Sequence, residues 1–196
     1  MSELFAEHTI ESAPPGARRS MTATRNHLGY LPAPVARMAA SPELLDGFLR
    51  LSAIFESSTL NPLAREVVVM TIATRNGCHV CVAMHTGRLT ALEADAELID
   101  SLRAFRPLTD PRLEAVRVFT IQVLDTAGDV PDAALHAFLA HGYTRQNALE
   151  VVLGIGTYTM STLANRLTRA PLDDQLAGFA WQDRGAAGDI VRHGSR

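Results

Sequence analysis

The chain has 196 residues, with 18 basic and 21 acidic side chains, a net charge of −3 and a pI near 6.1. No basic stripe or acidic tail breaks that balance, which argues against nucleic acid and anionic membrane as partners. Apolar residues make up 47% and charged ones 20%, an ordinary globular composition, and runs such as Val67-Val68-Val69-Met70 stop far short of the ~20 residues a membrane span needs.

The N-terminal Ser2-Glu3-Leu4-Phe5 lacks the basic-then-apolar order of a secretory signal, so a cytoplasmic location is expected. Residues 1–24 carry Ala13-Pro14-Pro15-Gly16 and Arg18-Arg19 without apolar periodicity, and read as a flexible or partner-contacting arm. A single helical domain is expected over residues 25–180, followed by a small, polar tail over 181–196.

Within the domain the start and stop signals belong to helices. Ser41-Pro42-Glu43 supplies an N-cap, a first-turn proline and an early acid, opening a helix with Leu44, Leu45, Phe48, Leu49 and Ile54 as its buried stripe. Asn61-Pro62 repeats the device for a second helix to about Arg75. Asn76-Gly77 ends it, because both residue types tolerate the left-handed conformation. A third helix runs from near Cys78 to about Leu92, and a short fourth covers Ala94 to Leu102. Asp110-Pro111 opens a fifth, with Leu113, Val116, Phe119 and Val123 on one face, ending at Gly128. Pro131-Asp132 begins a short sixth that stops at His141-Gly142. Thr144 caps a long last helix from Arg145 towards Arg169, whose middle, Val151 to Gly156, is apolar on nearly all sides. Gly154 and Gly156 are expected to permit close approach of a neighbour there. No alternating strand pattern competes, and the fold class is all-α.

Chemistry concentrates in Gly77-Cys78-His79-Val80-Cys81-Val82-Ala83-Met84-His85, which holds both cysteines of the chain. At ~100° per residue, Cys78, Cys81 and His85 share one helical face. In a reducing compartment such a pair reads as catalytic or metal-binding, since a disulfide closing so short a loop restrains the unfolded chain little. The helix N-terminus and a nearby protonated His85 both favour the thiolate that thiol chemistry needs.

The tight Asn76-Gly77 turn makes the second and third helices antiparallel, and counting ~1.5 Å per residue brings Glu66 nearly level with His85. Glu66 is the only acid between Asn61 and Glu93 and can orient His85 or relay its proton. Blander readings stand beside these: inert core thiols, a core histidine, and a Glu66 that only complements its helix dipole. His79 falls on another face and is expected to be exposed. Cys78, Cys81, His85 and Glu66 are also acceptable zinc ligands, but no second CxxC completes a structural zinc site, so neither metal nor cofactor is expected.

Glu66, twelve residues, Cys78-x-x-Cys81 and three more to His85 form a spacing that resembles the AhpD-like alkylhydroperoxidase family, which is grouped with the carboxymuconolactone decarboxylases. Leu28-Gly29-Tyr30-Leu31-Pro32 and Ser41-Pro42-Glu43-Leu44-Leu45 resemble its N-terminal lead. Gly142-Tyr143-Thr144, Asn165-Arg166-Leu167 and Pro171-Leu172-Asp173 resemble its C-terminal half. The resemblance implies an all-helical homo-oligomer that reduces a hydroperoxide. By that analogy Cys81 attacks the peroxide, Cys78 resolves the sulfenic acid as a disulfide, His85 is the base, Glu66 completes the relay, and an external dithiol restores both thiols. Val80 stands where some members carry a histidine. Two other readings are a redox-responsive sensor and a non-redox decarboxylase on the same fold.

Overall fold

The computed structural model describes residues 4–182, and every regular element among them is helical. In chain order these are α1 (Pro15–Leu28), α2 (Ala33–Met38), α3 (Pro42–Glu56), α4 (Pro62–Arg75), α5 (His79–Ala91), α6 (Ala96–Arg103), α7 (Pro111–Asp125), α8 (Asp132–Ala140) and α9 (Arg145–Thr168). A 3-10 segment, Asp174–Phe179, follows. The expected capping residues act as read: Ser41, Asn61 and Asp110 accept from backbone N–H groups of their first turns, and Thr144 forms a capping box with Asn147.

The centre of the molecule is α4. Val67, Val68, Val69, Met70 and Ile72 are all buried, so this helix is covered on every side, and it packs against α5, α6, α7 and α9. Leu113, Val116, Phe119 and Val123 bury the inner face of α7 as expected. Gly154 lets α9 approach this core: a Cβ there would stand 2.7 Å from the Phe55 ring and 2.9 Å from Val68. Gly156 does not share that role, because a Cβ there would meet open space.

Three further expectations are corrected. Within the expected 1–24 arm, the part from Pro15 on is the helix α1: its Ala17 and Met21 are buried, with Ala13 just ahead of it, and the helix packs on α3. Two alanines and one methionine are too sparse an apolar signal to read as periodicity, although they suffice where a neighbour lies close. On α3, Ile54 is exposed and Phe55 takes the buried position instead. At the end of α4, Asn76 stays right-handed (φ −81°) and only Gly77 (φ 62°) makes the left-handed turn. Neither α2 nor the 3-10 segment is signalled in the sequence. The segment after Pro171 straps across α5: a Cβ on Gly87 would touch the Phe179 ring at 3.1 Å, and Trp181 Nε1 donates to the Arg103 carbonyl at 2.9 Å. Beyond Gln182 the expected tail lies outside the described residues.

Candidate active site

The hairpin of α4 and α5 builds the site. Near the turn, Cys78 N–H donates to the Ala73 carbonyl at 2.9 Å; two helical turns away, His85 meets Glu66. The helices therefore run antiparallel, and the level placement of Glu66 and His85 is observed. Cys78 is the N-cap of α5, and no side chain caps the N–H groups behind it. Those unpaired donors and the helix dipole give the cysteine pair a positive electrostatic setting.

Cys78 and Cys81 are joined as a disulfide with Cα atoms 5.3 Å apart, 1% and 5% exposed respectively. On the next turn of α5, His85 Nδ1 lies 2.7 Å from Glu66 Oε2, both residues being 3% exposed. Burial by itself would raise the Glu66 pKa. The facing His85, with Arg88 and Arg65 further out, outweighs it and holds the carboxyl below its ordinary range. The other carboxylate oxygen, Oε1, faces Arg88 Nη1 at 3.6 Å, and Arg88 also pairs with Glu56 at 2.7 Å. Tyr158 of α9 packs its ring edge-on to the His85 ring, centroids 5.3 Å apart, and its hydroxyl reaches Ser52 Oγ at 3.3 Å.

The four residues singled out from the sequence thus form two pairs along α5, the Cys78–Cys81 disulfide at its head and His85 with Glu66 one turn beyond Cys81. His79 is exposed, as expected, and the partial desolvation of its ring, together with the nearby Arg166, lowers its pKa. Among the described residues no hydrogen bond joins His85 to either sulfur. The group bonded to the sulfurs is Asn165 of α9, whose Nδ2 lies 3.3 Å from Cys81 Sγ and 4.0 Å from Cys78 Sγ. Asn165, Arg88 and Tyr158 were not anticipated as site residues. A signal for Asn165 existed, since Ser161, Thr162, Asn165 and Thr168 place polar side chains on the inward face of a long helix. Beside the disulfide lies a cavity of about 350 Å³ lined by Cys78, His79, Asn165, Arg166 and Arg169 among others, with no acidic residue. No group of three or more metal-binding side chains occurs among the described residues, and no helix there is long and apolar enough to cross a membrane.

Residues 42–119 match the family model of the Carboxymuconolactone decarboxylase family. No curated protein matches the chain. Among solved structures, it is similar to an alkylhydroperoxidase AhpD core, an uncharacterized peroxidase-related protein from Ralstonia eutropha JMP134 (19% identity, TM-score 0.78, 88% of this chain and 93% of that one). A second uncharacterized peroxidase-related protein, from Silicibacter sp. TM1040, aligns at 17% identity and TM-score 0.74 over 91% and 96% of the two chains. The debrominase Bmp8, solved with 2,3,4-tribromopyrrole, aligns at 14% identity and TM-score 0.70 over 91% and 96%. An AhpD-like helical fold carries a CxxC pair at the head of α5, and residues 42–119, which include that pair, are similar to the carboxymuconolactone decarboxylase family.

Proposed function

We propose that this protein is a thiol-dependent peroxidase that reduces organic hydroperoxides through a Cys78–Cys81 dithiol/disulfide cycle. The observation that carries the reading is the buried His85–Glu66 pair, 2.7 Å apart, one helical turn from Cys81. A histidine whose Nδ1 is held by a carboxylate presents its other nitrogen in a defined tautomer, which suits it to proton transfer.

In the cycle, Cys81 thiolate attacks the outer oxygen of R–O–OH. The O–O bond breaks, Cys81 becomes a sulfenic acid, and the leaving alkoxide takes a proton from His85 to depart as the alcohol. Cys78 then attacks the sulfenic sulfur, the S–S bond forms, and the Cys78 proton passes by way of His85 to the departing hydroxide, which leaves as water; His85 is left neutral and regains its proton from solvent when the pair is reduced. Glu66 stabilises the imidazolium in between, and Arg88 keeps Glu66 ionised. An external dithiol returns two electrons by thiol exchange. A route for the proton through water suits the absence of a direct bond from His85 to sulfur.

The homo-oligomer and the cytoplasmic location are proposed with it. Leu149, Val152, Leu163 and Leu167 are all exposed on α9 and fall within about 60° of one another at ~100° per residue. Such a stripe, with the open Gly156 among them, offers apolar area to a second copy. Turnover of cumene hydroperoxide with dithiothreitol, followed by alcohol formation, tests the activity. Full activity in Cys81→Ser would overturn it.

A further inference from the structure

We propose that Asn165 is a catalytic residue of the dithiol centre, holding Cys81 as the thiolate and Cys78 as the protonated thiol whenever the pair is reduced. Asn165 comes from the last turns of α9 and is 5% exposed. Its Nδ2 lies 3.3 Å from Cys81 Sγ and 4.0 Å from Cys78 Sγ, so the carboxamide sits against both sulfurs but closer to Cys81. A disulfide carries no hydrogen and only accepts, which makes the amide nitrogen, not the oxygen, the atom that bonds the sulfurs of the disulfide.

The other half of the amide supplies the argument. Asn165 Oδ1 is buried and has no hydrogen-bond partner among the described residues. An orphaned buried acceptor costs ~1–3 kcal/mol, so a state that satisfies it is favoured by the same order. Reduction creates such a state. Cys78 gains an S–H that can donate to Oδ1, while Cys81, now a thiolate, accepts a stronger, charge-assisted bond from Nδ2. Both ends of the amide are satisfied in the reduced protein, and one is not in the oxidised protein.

The balance is simple. One thiolate of an external dithiol attacks Cys78 Sγ, the S–S bond breaks, and Cys81 leaves with the electron pair. The reductant's second thiol displaces Cys78 and closes the reductant's own disulfide. Of the dithiol's two protons, one ends on Cys78 and one goes to solvent, leaving Cys81 ionised against Asn165. The charged and titratable groups around the pair are His79 and His85 on α5, Glu66 on α4 behind His85, and Arg166 and Arg169 at the end of α9. None of them bonds a sulfur, so Asn165 is the direct contact that selects Cys81. The assignment rests on the redox cycle proposed for the pair, but not on the nature of its oxidant.

The test is a thiolate titration by absorbance at 240 nm in Cys78→Ser protein, which leaves one thiol and keeps a donor for Oδ1. Asn165→Ala in that background is expected to raise the Cys81 pKa by about one unit or more, a tenfold loss of thiolate below it. Asn165→Asp should raise it further, because a second anion then faces the sulfur. With both cysteines present, Asn165→Ala should shift the thiol–disulfide equilibrium about tenfold towards the disulfide, about 30 mV for a two-electron couple. An unchanged titration in folded Asn165→Ala protein overturns the assignment. If that variant does not fold, the unmodified protein still decides: its Asn165 carboxamide resonances must move with the thiolate titration, and fixed resonances overturn the assignment. These readouts use no peroxide. A protein that titrates as expected yet reduces no hydroperoxide keeps this assignment and loses the proposed function.

Discussion

Two glutamates are buried among the described residues, and they differ in what holds them. Glu150 on α9 receives bonds from the Thr59 and Leu60 N–H groups, the Thr59 hydroxyl, and the amides of Asn147 and Gln146. Every one of those donors is neutral, and none ionises near neutral pH. Glu66 on α4 faces an imidazole and, more distantly, a guanidinium. In both, burial alone would raise the pKa and the partners bring it below the ordinary 4.5. The same direction of shift therefore has two meanings. Glu150 ties the α3–α4 loop to α9, whereas Glu66 sits against a group that can give and take a proton beside a pair of sulfurs.

The comparison is sharpest in activity. Cys81→Ser is expected to remove hydroperoxide turnover entirely, and Glu66→Gln to lower it by about 10²-fold, the usual worth of a general acid–base partner, in a steady-state assay. Glu150→Gln should leave the rate per folded molecule unchanged; a loss equal to that of Glu66→Gln would erase the distinction. Stability should invert the order. Glu150→Ala orphans several buried donors and is expected to cost about 3 kcal/mol or more by urea unfolding, more than Glu66→Gln, whose amide oxygen can still accept from His85.

Acid should reveal both. Each carboxyl has a folded pKa below its unfolded value, so each contributes stability that is complete above the unfolded value, near 4.5, and lost as pH falls through the folded one. Glu66→Gln and Glu150→Gln should each flatten the fall in melting temperature below pH 4.5, and only Glu66→Gln should also change the pH profile of turnover. A smaller effect separates the glycines of α9. Gly154→Ala drives a methyl into Phe55 and Val68 and is expected to cost ~1–3 kcal/mol, while Gly156→Ala, in open space within a helix, should be neutral or stabilising by up to ~1 kcal/mol.

How much of this was legible depended on how local the signal was. Helix starts were readable because Ser41, Asn61, Asp110 and Thr144 act on N–H groups two or three residues away. The meeting of Glu66 with His85 was readable because one tight turn fixes how far two antiparallel helices are offset. Asn165 was not, since it reaches the sulfurs across 84 and 87 residues and no local pattern sets that register. The helix α1 failed for another reason. Its buried residues are only Ala17 and Met21, with Ala13 just ahead of the helix, and so few apolar side chains, most of them small, leave a weak hydrophobic period. Ile54 and Phe55 exchanged places because two adjacent apolar residues at a helix end fit a periodic pattern equally well.

The most direct measurement is a single-turnover mass balance. Fully reduced protein is mixed with one equivalent of cumene hydroperoxide, quenched with an alkylating agent, and analysed for alcohol, free thiols and linked peptides. The account predicts one alcohol formed, both thiols lost, and Cys78 joined to Cys81. Intact hydroperoxide beside two free thiols would contradict it.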